Sequence, residues 1–243
     1  MYSSGPCEVK YDRKSAAEDN AAEPELRQFK VVILGDGGVG KTSLAKRFVE
    51  DVFRPHYKQT IGADFMMKKI MLSDNLEVSL QLWDIGGQSI GSKMVNTYLF
   101  NAHAVILLYD ITNYESFQNL EDWMRSLRRK FTTLPGFPHV ALVGNKMDLG
   151  HERNVQITSH RTFLEENEIK VSARLSARTG EGVDNLFYGL AGKLCGVGMT
   201  QREVDSKART VTAVIINHKQ NDEEVNGGEM PDIEESAGDC VLS

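Results

Sequence analysis

FKVVILGDGGVGKT (residues 29–42) decides the fold. Its first half is an unbroken apolar run, as a strand buried on both faces requires. Its second half, Gly35 to Thr42, fits G-x-x-x-x-G-K-[ST], and Lys41 opens an amphipathic segment reaching about Glu50. A glycine loop between strand and helix lets backbone N–H groups converge on a phosphate that side chains would block. Gly35, Asp36, Gly37, Gly38, Val39 and Gly40 form that loop. Lys41 would reach the β- and γ-phosphates and Thr42 would ligate Mg²⁺, with Ser43 next in the same turn.

Working outward, FMMKKIML (65–72) and LEVSLQLWD (76–84) flank SDN and read as a β-hairpin. HAVILLYD (103–110) and HVALVGN (139–145) are buried-strand runs, and IKVSARL (169–175) is a sixth strand. Between them Thr112-x-x-Glu115 predicts a capping box opening a helix that carries Phe117, Leu120, Met124 and Leu127. A last helix presents Val183, Leu186, Phe187, Leu190 and Leu194 on one face and ends near Cys195-Gly196. Alternating strands and helices give an α/β class, a doubly wound, six-stranded, mostly parallel sheet with helices on both faces.

Two further motifs fall at strand ends. In Asp84-Ile85-Gly86-Gly87-Gln88 the aspartate would hold Mg²⁺ through water, the Gly87 N–H would meet a γ-phosphate, and Gln88 would orient an attacking water. In Asn145-Lys146-Met147-Asp148 the Asp148 carboxylate can accept two N–H donors that guanine offers and adenine lacks, while Lys146 lies along the base. Ser176-Ala177-Arg178 supplies a backbone N–H for the guanine oxygen. Asn145 and Asp148 argue against an ATPase or nucleotide kinase, and an intact Gln88 argues against a scaffold that binds GTP without hydrolysing it.

The chain has 243 residues and a net charge of -6. From Met199 to the end there are 10 acidic and 4 basic residues, and in the first 28 there are 6 and 4, so both ends are acidic. That argues against nucleic acid as the main partner. Residues 1–28 read as a flexible extension, 29–197 as the globular domain and 198–243 as an acidic tail with one apolar patch, VTAVII (211–216). Three cysteines far apart make a disulfide framework unexpected; Cys195 reads as a small buried helix residue. No apolar run approaches a membrane span, and MYSSGPCEVKYDRK carries no signal-peptide core. Tyr2 stands where N-myristoylation needs a glycine. Cys240-Val241-Leu242-Ser243 fits C-a-a-X of the farnesyl class.

These motifs, in this order and spacing, resemble a Ras-superfamily small GTPase across 29–197. Thr60-Ile61-Gly62-Ala63-Asp64-Phe65 resembles the TIG-x-DF of the Rab family. WDIGGQSIGSKM, DITNYESFQNLEDW and the single C-a-a-X box resemble its atypical Rab twenty-eight branch. The resemblance implies that Thr60 closes over Mg²⁺ and γ-phosphate and that Phe53 packs on guanine. It implies that Phe65, Trp83 and Tyr98 meet effectors and that Cys240 carries a prenyl group. It further implies a monomeric, GTP/GDP-operated switch with slow hydrolysis. The expected partners are an exchange factor, a GTPase-activating protein, effectors on the switch regions, a prenyl transferase and a prenyl-binding carrier. Such a protein would sit in the cytoplasm and on the cytosolic face of membranes, in vesicle, endosomal or ciliary traffic. Gly86 stands where ordinary Rabs carry alanine, and with Gly87 and Gly91 it predicts a loosely held second switch.

Overall fold

A computed structural model describes residues 24–209, except 57, 74, 88–92 and 133–135. The chain divides into units Met1–Thr210 and Val211–Ser243, the second wholly outside the described residues. Gln88, Cys240, Cys7, the 1–23 segment and the 211–216 patch therefore lie outside them as well.

Six strands, β1 (Glu25–Leu34), β2 (Ala63–Ser73), β3 (Leu76–Ile85), β4 (Ala104–Asp110), β5 (His139–Asn145) and β6 (Val171–Arg174), form one sheet ordered β2-β3-β1-β4-β5-β6. Every pairing is parallel except the β2–β3 hairpin. Alternation along β1 explains the layers. Val31 and Ile33 face one core with Leu44, Phe48 and Phe187, and Val32 and Leu34 face the other with Trp123, Leu127 and Phe163. Helices α1 (Lys41–Glu50) and α6 (Val183–Cys195) cover the first face. The second is covered by α2 (Lys93–Tyr98), α3 (Tyr114–Gln118), α4 (Leu120–Phe131) and α5 (Ile157–Glu166). Strand order reverses at β1, which sits between β3 and β4, so the crevice at its carboxyl end is where such a sheet binds ligands.

Several local expectations change. β1 starts at Glu25, four residues before Phe29, because Leu76 and its neighbours in β3 extend far enough to pair it. The capping box at Thr112 does not form. Asn113 is the cap, its side chain accepting from the N–H groups of Glu115 (3.0 Å) and Ser116 (3.3 Å), while Thr112 donates its hydroxyl to Asp110 (2.8 Å). The helix expected to run on from there is broken at Asn119 into α3 and α4. Cys195 is only half-buried, since the chain turns at Gly196 and leaves the last turn of α6 partly open.

Beyond that turn a further helix, α7 (Gln201–Arg209), lies against α6 through buried Val204 and an Asn185 to Asp205 hydrogen bond of 2.7 Å. Its polar sequence hides it, yet it carries a true capping box. Glu203 accepts from the Thr200 N–H at 2.7 Å, and Thr200 Oγ1 accepts from the Glu203 N–H at 3.3 Å.

Candidate nucleotide site

A cleft of about 900 Å³ opens at the carboxyl ends of the strands. Gly37, Gly38, Gly40, Lys41, Thr42, Ser43, Thr60 and Gly87 line one end, and Asn145, Lys146, Asp148, Ala177 and Arg178 line the other, with Phe53 also in the wall. Of the other residues read from sequence as site residues, Gly35, Asp36, Val39, Asp84 and Ser176 stand behind this lining. Lys46, Arg54, His56 and Lys58 add a basic rim that sequence reading did not single out.

At the first end the glycine loop is held from below. Lys41 is buried, and its Nζ donates to the carbonyls of Gly35 (2.8 Å) and Asp36 (2.7 Å). Burial pulls the ammonium down to about 8, and Asp84 and Asp36 pull it back up. The loop needs glycine at Gly40, where φ is +98° and a Cβ would lie 2.4 Å from Asn145 Nδ2. At the same end a Cβ on Gly87 would lie 2.2 Å from the Gly37 nitrogen, and one on Gly86 would lie 2.5 Å from the Thr60 carbonyl oxygen. Gly86 also donates its N–H to Gly62 at 2.9 Å, so this start of the second switch is packed closely, and no alanine fits there without a shift.

Thr42, Thr60 and Asp84 converge. The Thr42 hydroxyl donates to Asp84 Oδ2, Thr60 Oγ1 lies 3.3 Å from the same oxygen, and the two threonine oxygens are 3.0 Å apart. Asp84 is fully buried, and its other oxygen, Oδ1, has no hydrogen-bond partner among the described residues. Burial raises its pKa, against the opposing pull of Thr42, Lys41 and Thr60. A buried carboxylate with one unpaired oxygen, beside two hydroxyls, is an all-oxygen donor set suited to a hard divalent cation. The residues therefore fit Mg²⁺. Among the described residues no group of three or more His, Cys, Asp or Glu competes as a metal site.

At the other end Asn145 acts as a strut. Its Nδ2 donates to Val39 O (2.8 Å) in the glycine loop, and its Oδ1 accepts from Ala177 N (3.0 Å). Asp148 accepts from the Ser176 hydroxyl at 2.6 Å and lies 3.7 Å from Arg178. Three supports escaped sequence reading. Asp110 pairs with Lys146 at 2.5 Å, Arg47 donates to the carbonyls of Ala177 (3.1 Å) and Arg178 (2.7 Å), and Asn119 and Trp123 hold Asp36. For Asp110 a signal existed: it ends β4 in register with Asn145 at the end of β5.

Away from the cleft, Phe65, Trp83 and Tyr98 form one aromatic row. Phe65 and Trp83 are cross-strand partners with ring centroids 5.3 Å apart, and Tyr98 follows at 6.1 Å. Phe65 is 49% exposed, and Lys30 sits 4.6 Å over the Trp83 ring.

An α/β sheet with this glycine loop and cleft defines the class, and so does likeness to known proteins. The Ras family matches residues 30–195. The chain belongs to the Ras superfamily of small GTPases, and within it to the Rab type. It is 35% identical over 218 residues to the Ras-related protein Rab-28 of Caenorhabditis elegans, covering 89% of this chain and 86% of that protein. Ras-family GTPases in general bind guanine nucleotides and Mg²⁺, and Rab-type members work with exchange factors, activating proteins and effectors in peripheral association with membranes. Among the described residues no helix is long and apolar enough to cross a membrane.

Proposed function

We propose that the chain is a GTP/GDP-operated switch that hydrolyses GTP slowly and recruits effectors in vesicle, endosomal or ciliary membrane traffic. The observation that carries the reading is the Thr42–Thr60–Asp84 cluster with its unpaired buried oxygen, beside a lysine-floored glycine loop at one end of the cleft. Thr42, Thr60 and Asp84 would hold Mg²⁺, which when bound neutralises charge on the β- and γ-phosphates. Lys41 and the backbone N–H groups of 37–41 stabilise charge on the transferring phosphoryl group, and Gln88 orients water. Asp148 and Lys146 select guanine, with Phe53 on the base and Ser176, Ala177 and Arg178 around its oxygen. Phe65, Trp83 and Tyr98 present an aromatic surface to effectors. A prenyl group on Cys240, delivered by a transferase and carried by a prenyl-binding protein, supplies the membrane contact.

Single-turnover hydrolysis of GTP, with ATP as control, tests the reading. GTP is consumed slowly and ATP is not. Gln88→Leu leaves GDP affinity within a few-fold and slows intrinsic hydrolysis at least tenfold; equal turnover of both nucleotides overturns the reading.

A further inference from the structure

Asp36 is the one carboxylate in a loop built to hold a polyphosphate, and three elements meet on it. Its side chain turns toward the α3–α4 junction, where Oδ2 accepts from Asn119 Nδ2 at 2.6 Å and Oδ1 from Trp123 Nε1 at 3.0 Å. Its carbonyl accepts from Lys41 Nζ at 2.7 Å. Its peptide unit lies directly under Gly87, where a Cβ would come within 2.3 Å of the Asp36 carbonyl carbon. Asn119 is the residue at which α3 stops and α4 starts, and Trp123, one turn on, is fully buried in the core. Trp123 thus anchors the junction in the core, and the junction binds both oxygens of Asp36.

We infer that Asn119 and Trp123 are positioning residues for the phosphate-binding loop. By holding Asp36 against the α3–α4 junction, they keep the loop's carboxylate off the phosphates and fix the peptide that aims Lys41 and the 37–41 N–H groups into the cleft. The inference rests on the nucleotide reading above. Releasing the carboxylate would let a negative charge swing beside a diphosphate and would loosen the peptide that Lys41 and Gly87 both touch. The junction thus couples α4, whose outer face carries Glu121, Asp122, Arg125 and Arg129, to nucleotide retention.

The test uses the full chain loaded with a fluorescent GDP. Asn119→Ala is expected to speed GDP release about tenfold, and Trp123→Phe, which keeps an aromatic side chain of smaller volume and removes the N–H, about threefold. Both variants should keep the wild-type circular dichroism and melt within a few degrees of it. The deciding arm is the pair of backgrounds: Asp36→Ala with Asn119→Ala should release GDP no faster than Asp36→Ala alone, because Asn119 acts through that carboxylate. A tenfold acceleration in both backgrounds means general loosening of the helix junction and overturns the inference, as does unchanged release in both single variants. Amide hydrogen exchange is a ligand-independent arm. Protection of residues 36–41 should fall in Asn119→Ala while that of β5 does not, and unchanged protection overturns the inference even for a chain that retains no nucleotide. A wild-type chain that retains no GDP refutes the nucleotide reading instead.

Discussion

Asp148 shows how much one carboxylate can be asked to do. Its Oδ1 is held by Ser176 at 2.6 Å, which fixes the side chain at the Asn145–Arg178 end of the cleft, where the proposed function places the base. Facing adenine it would be a desolvated charge without its donors, and such unpaired groups cost several orders of magnitude in discrimination. In competition binding GDP should therefore outcompete ADP by at least about a hundredfold. Asp148→Asn should move the preference toward xanthine nucleotides, whose exocyclic oxygen accepts where the guanine amine donates. Comparable GDP and ADP affinity in the wild type would refute this assignment.

At the scale of elements, the short helix α3 is held at its start by side chains. Asn113 caps two N–H groups, and Ser116 Oγ accepts from the Asp110 N–H at 3.1 Å. Asp110 in turn holds Lys146. Asn113→Ala should cost about 1 kcal/mol, seen as a melting point lower by roughly 2–4 °C in a domain of this size. Replacing Thr112, which does not cap the helix, should leave α3 intact and loosen Asp110 instead. The pattern T-x-x-E occurs at both 112–115, where sequence reading places a capping box, and 200–203, where it places none. Only the second is one, because at 112 the neighbouring Asp110 carboxylate captures the threonine.

For the molecule as a whole, pH should act through His160. The ring is buried, its Nδ1 lies 2.9 Å from the Tyr109 hydroxyl, and burial, with Arg174 nearby, holds its pKa down to about 4. Between that value and the ordinary 6.5 the unfolded chain binds a proton that the fold refuses. The stabilisation is thus present above about pH 6.5 and lost as pH falls toward about 4, by on the order of 3 kcal/mol at its limit. Asp184, raised by burial, acts in the opposite sense over part of that range. Melting temperatures from about pH 7 to about pH 4.5 should fall, and less steeply in His160→Gln; equal slopes would remove His160 from the account.

Membrane attachment is also a whole-molecule property. Residues 220–243 hold eight acids and no lysine or arginine, so the prenyl chain proposed on Cys240 would gain no electrostatic help from anionic lipid. Cys240→Ser should make the protein fully soluble in a vesicle flotation assay. The prenylated Thr42→Asn variant should float poorly too, for want of an effector; if it survives a salt wash on pure lipid vesicles, one lipid is enough.

The sequence by itself determined what depends on neighbours along the chain: the apolar runs of β1, β4 and β5, the glycine loop, and which motifs end which strands. Its motifs also marked Thr42 and Asp84 as candidate metal ligands, the family resemblance added Thr60, and the fold brings the three together. What it could not carry were contacts between residues far apart in sequence. The Asp36 to Trp123 bond spans 87 positions and the Arg47 to Arg178 bond 131, and neither residue type is unusual where it stands. The same holds for α7, whose polar sequence becomes a helix against the flank of α6, where Val204 is buried and Asp205 meets Asn185. Local sequence sets the propensity and the motif; which carboxylate is gripped, and by what, is decided only once the strands have set the spacing between elements.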